Sequence, residues 1–371
     1  MVIDTVISGR SWGGFRVAES LSLDEVKVLA RTMTIKTMLA GIPIGGAKGG
    51  VSISTTNYDR EEMLRLTSDI VGPYVKQRSY FLGTDLGFSE ADAEVLYRYA
   101  GSKQKLFSGN LTVGEACATG ILASLEYLQN KGICRFGKTV AIEGFGRIGA
   151  PTAMLLSLHG YRIVAISNIA GTLTDASGLD VTELVDIAAT SSDNPVASYP
   201  ESHPSATVLP KEALPHVESD ILIPGARALM LDGNLARQVK AKVICPISNA
   251  PVTADGEEVL AGLGRTSVPD VISNTGGLIA SFAQHLGANI PQTKAIIYEI
   301  ISRNLDSVFT NLKDGEIPKT VAAAIALERF REIQRSEKIG VLKFISPWVR
   351  TLGLTALLSG LKEYFGLKIG G

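Results

Sequence analysis

Between residues 21 and 40 side chains that suit an apolar face recur at Val26, Leu29, Ala30, Met33 and Thr37/Met38, the spacing that lines one face of an α-helix. Ser22 followed by Glu25 supplies a capping box at its start. The helix runs into GIPIGGAKGG (41–50), which reads as a glycine-rich turn feeding a strand at about 50–54. Residues 58–78 have a helical pattern again, and YFLGTDLG (80–87) reads as a short strand ending at an acid. Residues 89–100 predict a further helix opened by Ser89. The first part of the chain is therefore expected to form an α/β layer.

From about residue 113 the pattern changes. Residues 113–130 predict a long helix, KTVAIE (138–143) an apolar strand, GFGRIG (144–149) a turn into a helix, and YRIVAIS (161–167) a second buried strand. Strand, glycine turn, helix and strand make the βαβ unit of a parallel sheet. Further strands are expected at 220–224, 242–247 and 267–272, with 194–215 as irregular loop. A helix is expected over 318–338. Beyond it Leu354, Leu358, Leu361 and Phe365 share one helical face, suited to docking or to an oligomer contact, with a poorly ordered tail as the alternative. The fold class is α/β: an N-terminal α/β substrate domain, 1–116, and a Rossmann-type doubly wound dinucleotide-binding domain, 117–324. The C-terminal helices, 325–371, are candidates to pack back on the first domain.

Length supports the division, since a single core rarely grows past about 250–300 residues, and this chain has 371. Basic and acidic side chains number 36 and 37, a net charge of −1. No global field gathers nucleic acid or an anionic membrane, so the expected partner is a small molecule. Cys117, Cys134 and Cys245 lie far apart without metal spacing, and they read as reduced thiols of a cytoplasmic protein. His159, His203, His216 and His285 show no ligand spacing either, and no metal is expected. The N-terminus lacks the pattern of a secretory signal, and no run of about 18 apolar residues predicts a membrane span.

Chemistry enters with the glycines. Gly144, Gly146 and Gly149, with Phe145, Arg147 and Ile148 between them, form a GxGxxG turn between a strand and a helix. The first glycine permits the turn, the second lets backbone approach a pyrophosphate, and the third lets helix pack on strand. An incidental glycine turn is the plain alternative, and the flanking strands argue for NAD or NADP. The acid that usually ends the second strand is Asn168 here. A neutral amide still bonds a ribose hydroxyl and does not repel a 2′-phosphate.

In GIPIGGAKGG a single lysine, Lys48, sits between two glycine pairs. This is not a Walker phosphate loop, which needs G-K followed by Ser or Thr. A lysine desolvated there, or close to a second cation, has a lowered pKa and can act on a carbonyl or imine. Lys36, twelve residues upstream, offers such a cation. A solvated surface charge is the plain alternative for either lysine, and a cap or turn residue for Asp85.

The motifs MTIK (33–36), GGAKGG, TDLG (84–87), ATG (118–120), GFGRIG and NTGG (274–277) occur in an order that resembles the glutamate/leucine/phenylalanine/valine dehydrogenase family. The resemblance runs from about residue 9 to about 335. DILIPGA (220–226) and PDVISNTGGLIASF (269–282) look most like glutamate dehydrogenases. It implies NAD(P)-dependent oxidative deamination of an L-amino acid, glutamate first, to a 2-oxo acid and ammonia. It also implies a homo-oligomer, a hexamer in the family pattern. By position Lys48 would be the catalytic lysine, Asp85 a proton shuttle to the amino nitrogen, and Lys36 the anchor of the α-carboxylate. Gly14 falls in the first glycine motif. Thr119 and Asn249 match positions near the nicotinamide, and Asn274 one that contacts cofactor or substrate.

The family pattern also breaks. Trp12, in GRSWGGFR (9–16), stands where glutamate-specific members place a lysine that pairs with the side-chain carboxylate. Members acting on apolar amino acids place an apolar residue there, whereas Ser281 keeps the other side-chain contact in glutamate fashion. Arg16 is close enough in sequence to offer a substitute charge. Glu115 replaces a usual arginine, and only about eight residues precede the first motif. These departures leave a leucine/phenylalanine/valine-type enzyme and a non-catalytic nucleotide-binding paralogue as alternatives.

Overall fold

At the centre of the first unit's sheet lies β2 (Ser11–Ala18). The computed structural model describes residues 1–54, 58–102, 111–190, 194–335, 346–353 and 357. Strand order is β1-β3-β2-β4, from β1 (Val2–Ile3), β3 (Gly45–Ser52) and β4 (Tyr80–Gly83). β2 runs parallel to both neighbours, and β1 is antiparallel to β3. The helices are α1 (Leu23–Ala40), α2 (Arg60–Lys76) and α3 (Glu90–Tyr99). Side chains alternate across a strand. One face of β2 sends Phe15 and Val17 into a core with Ala47, Tyr80 and Leu82 of the neighbouring strands and Met63, Val71 and Leu96 of the helices. Burial of each large apolar side chain contributes about 1.5–3 kcal/mol. The other set of β2 residues, Trp12, Gly14 and Arg16, is left for the opposite face.

The expected turn over 41–50 is largely strand. From Gly45 onward the glycine run pairs with β2, and Lys48 is a strand residue opposite Val2 of β1. The glycines serve close approach rather than a turn: a Cβ on Gly46 would overlap the backbone of Thr34 in α1, and one on Gly49 would lie 2.5 Å from the Phe15 ring. The chain turns earlier, at Gly41, whose φ of 69° closes α1. At the other end of α1, Ser22 accepts the Glu25 N–H at 3.1 Å, half of the expected capping box. The Glu25 carboxylate goes to Arg16 instead.

The second unit holds a seven-stranded sheet of order β11-β10-β9-β5-β6-β7-β8. Its strands are β5 (Thr139–Glu143), β6 (Arg162–Asn168), β7 (Gly171–Thr174), β8 (Thr207–Leu209), β9 (Ile221–Ile223), β10 (Val243–Ile244) and β11 (Thr266–Ser267). The first helices are α4 (Val113–Asn130), α5 (Gly149–Leu158), α6 (Val181–Thr190), α7 (Pro195–Ser198), α8 (Gly233–Ala236), α9 (Ala254–Gly262) and α10 (Asp270–Ser273). Along the chain follow α11 (Gly276–His285), α12 (Ile290–Asn311) and α13 (Pro318–Arg335), each with residues in both units, and α14 (Ser346–Leu352), which belongs to the first. β6, β5, β9, β10 and β11 are parallel, while β7 and β8 are antiparallel additions at one edge. The order reverses at β5, with β6 on one side and β9 on the other, the switch point at which doubly wound sheets bind ligands.

Sequence and structure differ at several places here. β7 and β8 are short strands that apolar runs did not mark, and β8 lies inside the expected loop over 194–215. The strand expected at 267–272 ends at Ser267, because Pro269 has no N–H for a ladder and opens α10. Chain segments Met1–Asn110, Ser281–Thr293 and Ala326–Gly371 make the first unit, and Leu111–Ala280 with Lys294–Ile325 make the second. The passage at 110/111 comes before α4, which Thr112 caps. Residues 336–338 and the apolar positions Leu354, Leu358, Leu361 and Phe365 lie outside the described residues.

Candidate active site

The alternation of β2 and β3 and the end of β4 bring the candidate side chains of the first unit together. Lys48 Nζ lies 2.6 Å from Asp85 Oδ2, with the lysine side chain 7% and the aspartate 17% exposed. Asp85 follows β4 in a tight turn that bridges to Phe88, fixing its backbone. Gly14, on the adjacent strand, leaves the gap that this pair fills. A Cβ there would stand 3.0 Å from Asp85 Cβ and 3.2 Å from Lys48 Nζ.

Arg16, two residues along the same face, completes the cluster. Its Nε donates to Asp85 Oδ2 at 3.1 Å and its Nη1 to Glu25 Oε1 at 2.6 Å. Charges alternate along Lys48, Asp85, Arg16 and Glu25. Burial pushes the Lys48 ammonium below the usual lysine range; Asp85 opposes this, and Arg16 adds to the lowering. Burial alone would raise the Asp85 carboxyl, but Lys48 and then Arg16 outweigh it and hold it below the usual range. The sequence offered Lys36 as a second cation beside Lys48, and Arg16 is one that acts on it. Sequence reasoning saw Arg16 only as a possible substitute for the missing side-chain lysine. Its commitment to Asp85 and Glu25 corrects that, and only the register of β2 could have shown its direction.

Lys36 is buried near the end of α1, just before its last turn. Trp12 is 6% exposed and packs against Phe282, ring centroids 6.4 Å apart. Ser281, half-buried, precedes Phe282 in α11. This unit therefore gathers Lys48 and Asp85, and places Lys36, Trp12, Gly14 and Ser281 on elements of the same fold.

In the second unit Gly144 turns the chain at φ 88°. A Cβ on Gly149 would overlap the Gly144 carbonyl, whereas one on Gly146 would meet nothing within 4 Å. The turn is thus tight where helix meets strand and open where a pyrophosphate would sit, and the start of α5, with no side-chain cap, leaves backbone N–H groups for it. Phe145 is buried, Arg147 exposed and Ile148 half-buried. At the end of β6 the Asn168 amide donates to Asn194 Oδ1 at 2.6 Å and accepts the Ala170 N–H at 2.8 Å. These residues fit a dinucleotide.

The ATG and NTGG glycines bring helices into contact: a Cβ on Gly120 would lie 2.7 Å from the Ser273 carbonyl, and one on Gly276 would overlap that of Ala116. Thr119 on α4 is buried and donates to the Glu115 carbonyl at 2.8 Å. Asn274 donates to the Ser248 carbonyl at 2.7 Å and to Asn249 Oδ1 at 3.3 Å. Its own Oδ1 is buried without a hydrogen bond. Glu115 caps α4 by accepting the Thr112 N–H at 2.9 Å. Sequence reasoning missed Glu143, the buried last residue of β5. Its carboxylate accepts the N–H groups of Gly225, Ala226 and Arg227 and pairs with Arg227 Nε at 2.8 Å. Among the described residues no group of three or more acidic, histidine or cysteine side chains could hold a metal, and no helix is long and apolar enough to cross a membrane.

Residues 109–337 match the family described as Glutamate/Leucine/Phenylalanine/Valine dehydrogenase, and residues 4–99 match the Glu/Leu/Phe/Val dehydrogenase dimerisation domain. The chain is 30% identical over 303 residues to glutamate dehydrogenase of Thermotoga maritima, covering 75% of this chain and 69% of that protein. It is 29% identical over 344 residues to glutamate dehydrogenase A2 of Halobacterium salinarum, covering 85% and 80%. Among solved structures it is similar to the hetero-hexameric glutamate dehydrogenase of Thermus thermophilus in a Leu-bound form. That match has a TM-score of 0.74 at 27% identity and covers 89% of this chain and 82% of the other.

Proposed function

Because this chain belongs to the glutamate/leucine/phenylalanine/valine dehydrogenase family, we propose that it catalyses reversible NAD(P)-dependent oxidative deamination of an L-amino acid to the 2-oxo acid and ammonia. The observation that carries this reading is the buried Lys48–Asp85 pair, 2.6 Å apart. NAD or NADP, held at the Gly144–Gly149 turn, would supply the acceptor for the hydride that Cα loses in deamination and its donor in amination. Loss of that hydride leaves a substrate iminium, which water must attack. Lys48, its ammonium destabilised by burial, accepts a proton from that water and then polarises the oxygen on Cα. Asp85 takes a proton from the substrate ammonium before hydride loss and returns it to the nitrogen as the C–N bond breaks, the hydroxyl proton passing to water as C=O forms; amination runs these transfers backwards. A lysine brought below its ordinary range is a better base towards neutral pH, and Asp85, an ionised carboxylate held by Lys48 and Arg16, relays a proton rather than storing one. Lys36 pairs with the α-carboxylate. The Gly144–Gly149 turn, Asn168, Thr119, Asn249 and Asn274 hold the dinucleotide, and the neutral Asn168 admits either cofactor.

For the substrate side chain, Trp12 supports an apolar group over a carboxylate. A carboxylate desolvated beside an indole would lack a counter-ion, and Arg16 is engaged by Asp85 and Glu25. Glutamate is the second reading, favoured by Ser281 and by the glutamate dehydrogenases among the relatives. The chain works as a homo-oligomer, in keeping with the dimerisation-domain match, and in the cytoplasm, where its thiols stay reduced.

The test is amination of a panel of 2-oxo acids with ammonia, following NADH and NADPH oxidation by the purified chain. The expected result is turnover of branched or linear apolar 2-oxo acids ahead of 2-oxoglutarate. Preference for 2-oxoglutarate supports the glutamate reading. Dinucleotide binding by calorimetry without turnover of any 2-oxo acid overturns catalysis in favour of a nucleotide-binding paralogue.

A further inference from the structure

The family match ends at residue 337, and α14 lies beyond it. Its Trp348 is wholly buried, within the first unit. The indole N–H donates to the Ala40 carbonyl at 3.0 Å. The ring stands edge-on to Phe282, with centroids 4.8 Å apart and planes at 76°, and Phe282 in turn packs on Trp12. Trp348 thus reaches two parts of the candidate substrate site.

One part is the end of α1. Helices leave their last carbonyls without partners inside the helix, and α1 has no basic residue in its last turn. Its Met38 and Leu39 carbonyls accept from Arg329 of α13, at 3.4 and 3.1 Å. The Ala40 carbonyl is taken by Trp348. The turn of α1 held in this way directly follows Lys36. The other part is the aromatic wall, where an edge-to-face pair fixes the plane of Phe282 as well as its distance, and through Phe282 the seat of Trp12.

We infer that Trp348 is a positioning residue for the amino-acid substrate: it holds the Trp12–Phe282 wall that meets the substrate side chain, and the helix end that presents Lys36 to the α-carboxylate. The inference rests on the amino-acid dehydrogenase reading. Small displacements of positioning groups cost large factors in rate or binding, so a helix remote from the reacting atoms shapes the substrate range.

Trp12 and Trp348 are the two tryptophans of the chain, so Trp348→Phe and Trp348→Leu each leave Trp12 as the sole indole emitter. Trp348→Leu is expected to shift Trp12 emission to the red relative to Trp348→Phe. It should raise KM for the preferred 2-oxo acid by about tenfold, leave KM for the reduced cofactor unchanged, and flatten the preference among 2-oxo acids of different side-chain size. Trp348→Phe keeps an aromatic edge on Phe282 and should restore that preference. It should retain part of the KM rise, because the Ala40 carbonyl loses its donor. A role confined to stability would lower the active fraction, and thus the apparent kcat, by one factor for every substrate with KM unmoved. That outcome overturns the inference, and so does Trp12 emission that is the same in both variants. If the parent chain turns over no 2-oxo acid, the dehydrogenase reading falls separately, and the emission comparison still decides whether Trp348 holds Trp12.

Discussion

Lys48 reaches Asp85 across a space that Gly14 leaves empty, and the 2.6 Å contact between them depends on a missing side chain one strand away. Gly14 lies on β2 between Trp12 and Arg16, so any Cβ there points at the pair. The carbonyl of Thr84 would also stand 2.8 Å from it. Gly14→Ala is expected to lower kcat/KM for the amino acid by about 100-fold, as misplacement of catalytic groups does. Overpacking costs about 1–3 kcal/mol in stability. Steady-state kinetics beside a thermal melt check this, and wild-type kinetics in a folded Gly14→Ala variant would contradict it.

Replacing Lys48 by Met should reduce kcat by about 10²–10⁴, the usual contribution of a positioned acid or base. In the parent chain the rising limb of kcat/KM for deamination should lie below the ordinary lysine range, since burial lowers the Lys48 pKa and Arg16 adds to the lowering. The apparent value belongs to the Lys48–Asp85 pair. Arg16→Gln removes a cation that disfavours a second positive charge nearby, so the limb should move to higher pH. A limb that stays in place or moves down would assign the titration to another group.

The second and third glycines of the dinucleotide turn should part company. Gly146→Ala meets nothing within 4 Å and should leave the melting temperature unchanged while weakening binding of ADP-ribose by tenfold or more, about 1.4 kcal/mol. Gly149→Ala drives a methyl into the Gly144 carbonyl and should lower the melting temperature before any ligand is added. Calorimetric titration with ADP-ribose and differential scanning calorimetry separate the two effects. Equal loss of stability in both variants would speak against an open cradle at Gly146.

Acid stability of the first unit should depend on Asp92. Burial would raise its carboxyl, but hydrogen bonds from Arg60 and Ser89 prevail and hold it at about 2. With the folded value below the unfolded one, this contribution is complete above the ordinary aspartate range and is lost as pH falls towards about 2. Its size is at most about 2 kcal/mol. Arg60→Leu should therefore lower stability at neutral pH and shrink the difference from the parent chain near pH 2. A gap that stays constant with pH would show that packing alone is lost.

Much of this architecture is written in periodicity. Val26, Ala30 and Met38 mark α1, and the long apolar pattern after Thr112 marks α4, because each helix buries one face or nearly all of its surface. Short strands such as β7 and β8 escape the same reading, since three or four residues carry too little alternation. The run GGAKGG is read as a turn because glycine usually marks one. Here it lets α1 and Phe15 approach a strand, a reason that exists only in three dimensions. Lys48 and Asp85 are legible as motif residues. Arg16, Phe282 and Trp348 are not, because their parts depend on strand register and on contacts between segments hundreds of residues apart.

The row Lys48, Asp85, Arg16 and Glu25 alternates in sign, and such a row has almost no field at long range. The molecule as a whole adds only a single negative charge. Neither feature draws a zwitterion from solution, so encounter proceeds by unassisted diffusion, and added electrolyte has little to screen. Electrostatics in this protein begins on contact, once water has been left behind.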